Sequence, residues 1–238
     1  MPGLGTIINT LAIILGGLAG LCFGKMINER IRSCVNMACG ICVLFVGLSG
    51  TLERMLKVVD GKITSSGSML LIGCLCIGAL IGEIINIEDK FESFGEWLKV
   101  KSGNAKDKKF VDGFVTSSLT VCIGAMAVVG SIQDGISGDI SILVTKAILD
   151  FIIILVMASS MGIGCVFSAL PVAVFQGGIT ALSTLLIPVM TDSALSNLSL
   201  VGSVLIFCVG LNLIFGKKVR VANLLPAVVL SVIAAFII

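Results

Sequence analysis

Apolar segments long enough to cross a membrane recur along the whole chain. A helix needs about 20 apolar residues to span the hydrocarbon core of a bilayer. Eight segments of this kind are present, at residues 5–23, 34–52, 67–86, 111–132, 140–159, 163–190, 195–215 and 222–238. The pattern predicts an all-α fold, a polytopic transmembrane bundle of about eight spans in one domain covering residues 1–238.

The sixth apolar segment differs from the others. It is long, and it contains Pro171 and the sequence Gln176-Gly177-Gly178. Proline removes a backbone hydrogen bond from a helix, and glycine weakens helices, so this span is predicted to be kinked, broken or re-entrant. Gly16, Gly20 and Gly24, and also Gly78 with Gly82, have the four-residue spacing that indicates close helix packing. Unwound backbone beside a site is the alternative for the glycine pairs at residues 16–17 and 177–178.

One polar interval carries a helical pattern of its own. Ile87, Phe91, Phe94 and Leu98 recur at helical spacing, and charged residues occupy the opposite side. This pattern predicts an amphipathic helix over residues 87–100 that lies in the membrane interface, with Trp97 at headgroup depth. A helix that binds a partner protein is the alternative, because the same pattern serves both roles.

Two short sequence matches indicate an internal repeat. Residues 12–17 resemble residues 173–178, and residues 46–49 resemble residues 209–212, at offsets of 161 and 163. The paired spans would cross the membrane in opposite directions, as in the inverted repeats of many secondary transporters. Residues 1–86 and 163–238 would then be the repeats, with a central helix pair over residues 111–159. Chance similarity between glycine-rich spans is the alternative.

Composition and charge support a membrane location. The chain is 57% hydrophobic and 13% charged, whereas soluble domains are about 25% charged. The bilayer is therefore the expected partner and nucleic acid is not. With both termini outside, the inner loops hold twelve Lys and Arg residues and the outer loops three. The positive-inside rule favours this orientation.

Signatures of catalysis and of cofactors are missing from the sequence. Histidine is absent, and no nucleophile elbow or phosphate-binding loop is present. Cys34, Cys39 and Cys42 have the spacing of plant-type iron–sulfur ligands, but on a helix they point in different directions. The nine cysteines are interpreted as small apolar residues. We expect no enzyme activity, no cofactor and no metal site.

Asp150 is the central candidate for function. It lies in the middle of the fifth span, with Lys146 one turn before it on the same helix face. A charged residue at the bilayer centre costs roughly 3 kcal/mol on insertion scales, so charges there usually serve a function. The alternative is an internal ion pair that only stabilises the fold.

Other polar residues extend this candidate site. Amide side chains occur inside apolar spans, and an acidic, glycine-rich turn precedes the fifth span. The predicted set of substrate- or ion-binding residues is Asp150, Lys146, Gln176, Asn9, Asn212, Gln133, Asp134 and Asp139. Each amide has an alternative role, because hydrogen bonds between membrane helices also stabilise a bundle.

These observations predict a secondary transporter or ion-translocating protein that binds a small ion or solute. An ion channel is one alternative, and a membrane scaffold or sensor with structural charges is another. A homo-oligomer is a further expectation.

The chain resembles an uncharacterised bacterial membrane family, number 554 of the domain-of-unknown-function series. The resemblance covers nearly the whole length, and its most specific part is Gly130-Ser131-Ile132-Gln133-Asp134-Gly135 followed by Lys146 and Asp150. Asn9, Gly16-Gly17, Gln176 and Leu225-Pro226 also fit. The resemblance implies a multi-pass protein of the bacterial cytoplasmic membrane, and it supplies no mechanism.

Overall fold

Helices form almost the entire described structure. A computed structural model describes residues 2–26, 28–59 and 61–237. The helices are α1 (Leu4–Met26), α2 (Glu29–Met55), α3 (Ser68–Ile85), α4 (Ile87–Lys101), α5 (Phe110–Cys122), α6 (Ala125–Ser137), α7 (Ser141–Met161), α8 (Ala169–Ala181), α9 (Ser183–Leu186), α10 (Asp192–Phe215) and α11 (Pro226–Ala234). Short 3₁₀ helices, Ile163–Ser168 and Val221–Leu224, precede α8 and α11. The prediction of an all-α polytopic bundle is confirmed.

A small β-hairpin joins α2 to α3. Its strands, β1 (Leu56–Val59) and β2 (Lys62–Ser65), are antiparallel, and Leu56 pairs with Ser65. The β2 residues are exposed to solvent. The apolar pattern predicts only a loop between these two spans.

Most of the predicted spans coincide with long apolar helices. Among the described residues, six helices are long and apolar enough to cross a membrane, and α5 with α6 makes a seventh if the two count as one bent span. The eighth predicted segment contains a shorter apolar helix, residues 221–234. The exact number of spans therefore stays a prediction.

The fourth predicted span is interrupted in the structure. α5 ends at Cys122, and the chain bends by 63° before α6. Gly124, at the bend, has a φ of 156°, which side-chain-bearing residues rarely adopt. The sixth predicted span is divided into a 3₁₀ helix, α8 and the short helix α9. Residues 176–178 lie inside the regular helix α8. Pro171 is tolerated because it falls in the first turn of α8.

Glycines allow α1 and α7 to pack side by side in parallel. A Cβ atom added at Gly16, Gly20 or Gly24 would lie 2.5, 2.2 or 2.7 Å from a backbone oxygen of α7. These oxygens belong, in the same order, to Phe151, Leu155 and Ser159. The prediction that this glycine series mediates close helix packing is confirmed, and α1 remains helical through Gly16-Gly17.

Three other helix pairs pack antiparallel. In the first pair, α1 meets α8 through Thr6 and Thr180 and again through Asn9 and Gln176. In the second, α2 packs along α10, and in the third α3 packs along α11. Glycines mark close approaches, Gly47 to Phe207 and Gly210 to Leu44 in the second pair, and Gly78 to Ala227 in the third, with Gly82 against Asn223 just before α11. These contacts bring the N-terminal part of the chain against the C-terminal part.

The bundle has two ends, which we name by their elements. The N-terminal face holds the start of α1, the end of α6 and the end of α8. At this face Asp134 of α6 accepts the backbone N–H of Gly3, and Gly135 of α6 lies against Ser183, just after α8. The α4 face holds α4, the start of α5 and the end of α10. Between the two faces lies an apolar core that includes Phe114, Ile154 and Leu205.

Helix α4 lies where the amphipathic helix was predicted, and part of its apolar side packs on α5. The Phe91 and Phe94 rings lie 5.4 and 5.9 Å from the ring of Phe114. Trp97 is half exposed, with the Lys101 ammonium 4.8 Å from the centre of its ring. Glu88 was placed on the polar side by the sequence pattern but is buried. The position of α4 in a membrane interface stays a prediction.

Candidate functional site

Asp150 and Lys146 form a buried ion pair on α7. The Lys146 Nζ atom lies 2.5 Å from Asp150 Oδ2. Their four-residue spacing places both side chains on one face of the helix. Asp150 is 3% exposed and Lys146 7%, so both charges are removed from solvent and depend on their protein partners.

Two amide side chains connect this pair to neighbouring helices. The Asn9 amide, on α1, donates to Asp150 Oδ2 at 3.0 Å and to Gln176 Oε1, on α8, at 3.3 Å. Asn9 and Gln176 are also fully buried. The hydrogen bonds therefore link α1, α7 and α8 at one point inside the bundle. We call Asn9, Lys146, Asp150 and Gln176 the polar cluster.

The bend between α5 and α6 contributes a backbone group to the polar cluster. Lys146 Nζ donates to the carbonyl oxygen of Val121 at 2.8 Å. The last carbonyls of a helix lack intrahelical partners and carry partial negative charge, so they favour a cation. The contact between Lys146 and Val121 is not predicted by the sequence pattern. Gly124, at the bend, is the local feature that could have indicated the end of α5.

Two buried polar atoms of the cluster have no hydrogen-bond partner among the described residues. They are Asn9 Oδ1, an acceptor, and Gln176 Nε2, a donor. Buried polar groups are normally paired, because an unpaired one costs roughly 1–3 kcal/mol. The cluster therefore has hydrogen-bonding capacity that its own residues do not use in this arrangement.

Two cavities lie on the helices that carry or contact the polar cluster. A groove of about 570 Å³ runs between α1 and α8 from the N-terminal face and is lined by Thr6, Thr10, Gly177 and Thr180. A second cavity, of about 240 Å³, opens at the α4 face and reaches Leu119 of α5. Neither cavity is lined by a residue of the polar cluster.

The acidic turn before α7 does not join the polar cluster. Asp134, on α6, is fully buried and accepts the backbone N–H groups of Gly3 and Gly5 at 3.1 and 3.0 Å. Asp139 is exposed and accepts from the Ser141 hydroxyl and backbone, which holds the pKa of Asp139 below its usual value. Gln133 is half-buried beside Asp134. The structure places these residues at helix ends on the N-terminal face.

Asn212 also lies away from the cluster. Its side chain donates to Val219 O at 2.7 Å and accepts the backbone N–H groups of Lys218 and Val219, each at 2.9 Å. It therefore holds the turn after α10 at the α4 face and lines the 240 Å³ cavity there. The predicted grouping of Asn212 with Asp150 is not found in this structure.

A charged network joins α3 and α4 to the turn before α11. Arg220 donates to Glu83 at 2.8 Å, and Lys217 contacts both Glu88 and Glu92. Glu88 is buried, and its carboxylate accepts the backbone N–H of Ala222 at 2.8 Å. These contacts connect the N-terminal and C-terminal parts of the chain beside the cavity at the α4 face.

Comparison with known proteins identifies related chains without a known activity. The family described as "Protein of unknown function (DUF554)" matches residues 4–236. An uncharacterized membrane protein of Bacillus subtilis, YdfK, is 30% identical over 98% of this chain and 96% of its own length. An uncharacterized protein of Escherichia coli, YqgA, is 29% identical over 96% of this chain and 94% of its own length. No solved structure matches the chain.

Proposed function

Since this chain belongs to the DUF554 family of membrane proteins, we propose that it is a secondary transporter or ion-translocating protein whose central site is the polar cluster. The observation that carries the proposal is the buried Lys146–Asp150 pair, which is hydrogen-bonded to Asn9 of α1 and to the carbonyl at the α5–α6 bend. Ionisable groups placed among apolar helices are costly and commonly mark ion or substrate pathways.

The arrangement around the cluster resembles the general plan of a carrier site. Transporter sites are often formed where a helix is interrupted, because free carbonyls and helix ends then face the bound ion or substrate. Here the bend between α5 and α6 supplies such a carbonyl, and two amide atoms have unused bonding capacity. A small ion or solute is the ligand that fits these groups.

The two cavities support access to the cluster from opposite faces. The groove between α1 and α8 reaches Thr10, the neighbour of Asn9 in the sequence, and the α4-face cavity reaches Leu119 of α5. Neither cavity opens to the cluster in this arrangement, since its four side chains are at most 7% exposed. In our proposal, each cavity opens to the cluster in turn.

The antiparallel helix pairs support the inverted-repeat hypothesis. An inverted repeat would place spans 1, 2 and 3 antiparallel to spans 6, 7 and 8. The three pairs α1 with α8, α2 with α10, and α3 with α11 pack in this way. The positive-inside rule supports an orientation in which the α4 face, with its basic loops, is cytoplasmic and both termini are outside.

The competing hypothesis is a scaffold or sensor in which the charges only stabilise the fold. The pair neutralises itself, so a structural role would need no ligand. Both hypotheses predict that Asp150→Asn alone is destabilising, by about 3–5 kcal/mol, because it leaves Lys146 unpaired. They differ for a protein in which both charges are removed.

The deciding experiment is a thermal-unfolding screen of purified protein against cations and small solutes. The variants are the wild type and the double variant Lys146→Gln/Asp150→Asn, which has no unpaired charge. The proposal predicts that the double variant folds and that a ligand raises the melting temperature of the wild type only. As a matched control, Glu96→Gln/Lys99→Gln removes an ion pair on α4 and should keep the ligand response. A double variant that keeps every wild-type response would favour the structural role.

A further inference from the structure

The polar cluster holds the ammonium group of Lys146 in the position of a bound cation. Its contacts are oxygens of two kinds, a carboxylate oxygen of Asp150 at 2.5 Å and the carbonyl oxygen of Val121 at 2.8 Å. Carboxylate and backbone carbonyl oxygens are also the groups that bind hard inorganic cations. The lysine side chain occupies the place that such an ion would take.

We propose that the cluster is a binding site for a monovalent inorganic cation, which displaces the Lys146 ammonium from Asp150 and Val121. This inference rests on the proposed function and names the class of its ligand. Lys146 and the ion then compete for the same oxygens. Binding requires the lysine side chain to leave, and release of the ion allows it to return.

The charge at the site favours a single positive charge. Asp150 is the only carboxylate of the cluster, and one ammonium now neutralises it. A monovalent cation in place of the ammonium would also neutralise the single negative charge of Asp150. Divalent cations usually need several carboxylates, and within the described ranges no group of three or more Asp, Glu, Cys or His residues is placed to hold a metal ion.

The unpartnered amide atoms supply a further oxygen. Asn9 now directs an N–H toward Asp150, and its own Oδ1 is buried without a partner. A half-turn of both amides would keep their mutual hydrogen bond, with Gln176 Nε2 donating to Asn9 Oδ1. An oxygen of Asn9 would then face a cation beside Asp150, and Asn9 Nδ2 and Gln176 Oε1 would take the two positions that have no partner now.

The test measures the thermal stability of the full-length protein in LiCl, NaCl, KCl or choline chloride at constant ionic strength. Lys146→Gln removes the competing ammonium, so the empty site holds an uncompensated Asp150. We expect this variant to be unstable in choline and to regain stability in one of the inorganic salts. If the lysine-free arrangement is about 10% populated in the wild type, removing Lys146 tightens the apparent Kd for the ion by about tenfold.

Controls separate the site from general salt effects. Lys99→Gln removes a lysine that is also ion-paired on a helix, and its response to the salts should equal that of the wild type. Lys146→Gln/Asp150→Asn has no carboxylate in the cluster and should show no difference between the inorganic salts and choline. The wild type should rank the three cations as Lys146→Gln does, at higher concentrations.

Several results would overturn the inference. One is a Lys146→Gln protein that remains unstable in every inorganic salt while the double variant folds. Others are a response to Mg²⁺ or Ca²⁺ alone, stabilisation by low pH alone, and a wild type that does not distinguish the inorganic cations from choline. If a different solute stabilises the wild type but not the double variant, the proposed transport site stands and only its ligand class is wrong. If no ligand does so, both proposals fail.

Discussion

At the scale of single residues, Asp134 acts at the end of a helix. The first N–H groups of α1 have no partner within the helix, and the Asp134 carboxylate accepts two of them. A negative charge is also favoured at a helix N-terminus. Because Asp134 is fully buried, this contact is shielded from solvent and fixes the start of α1 against α6.

Removing this cap should destabilise the protein without removing the ligand site. Asp134→Ala is expected to lose about 2 kcal/mol or more, because two charge-assisted hydrogen bonds disappear. Asp134→Asn keeps one acceptor oxygen and should lose less. Chemical denaturation in detergent would measure both values. Asp139→Asn, which changes an exposed acid on the next turn, is the control. Equal stability of Asp134→Ala and Asp139→Asn would refute the capping role.

The composition of the polar cluster could be predicted from the sequence, but the positions of other polar residues could not. Asp150, Lys146, Asn9 and Gln176 stand out because polar side chains are rare inside apolar spans. Asp134 and Asn212 look similar in the sequence. Their roles depend on partners such as Gly3, 131 residues away from Asp134. No local pattern distinguishes a residue that caps a helix from one that binds a ligand.

At the scale of elements, the contact between α1 and α7 determines the geometry of the cluster. Asn9 is on α1 and Asp150 is on α7, so the distance between the two helices sets their hydrogen bond. Within the glycine series, Gly20 lies closest to α7. A Cβ atom added at Gly20 would be 2.2 Å from the backbone oxygen of Leu155. A side chain there has to push the two helix backbones apart.

We therefore expect Gly20→Ala to cost about 1–3 kcal/mol of stability, as overpacking does in other proteins. Gly73→Ala, in α3, is the matched control, because no atom lies within 4 Å of the added Cβ. That variant should be neutral or gain up to about 1 kcal/mol from helix propensity. Melting temperatures of the two purified variants would test this. If Gly20→Ala were as stable as Gly73→Ala, the close packing of α1 on α7 would be wrong.

Two elements show what the sequence pattern could and could not predict. The hairpin between α2 and α3 carries a recognisable signal, since Asp60-Gly61 stands between β-branched residues. The sixth span is divided after Ala181, but its Gln176-Gly177-Gly178 sequence remains helical within α8. A second bend, which the pattern does not predict, occurs at Gly124. Glycine content alone does not locate a break, because the contacts of the folded bundle decide which glycines stay in a helix.

At the scale of the whole molecule, the apolar periodicity predicted the class of fold but not how the helices pair. The three antiparallel pairs join helices that are far apart in the sequence, and the network around Glu88 and Lys217 joins the same two parts of the chain. Such contacts depend on shape complementarity between distant segments. The faint sequence repeat pointed to the pairs of spans that meet in the structure, and the inverted repeat itself stays a prediction.

The central claim is that this closed, charged cluster moves a ligand across the membrane. Tracer uptake into proteoliposomes tests it most directly, using the ligand that raises the melting temperature of the wild type. We predict uptake by the wild type and by Glu96→Gln/Lys99→Gln. Uptake by the folded Lys146→Gln/Asp150→Asn protein should fall to the level of protein-free liposomes. Wild-type uptake by that double variant would contradict the claim, because transport would then proceed without either charge.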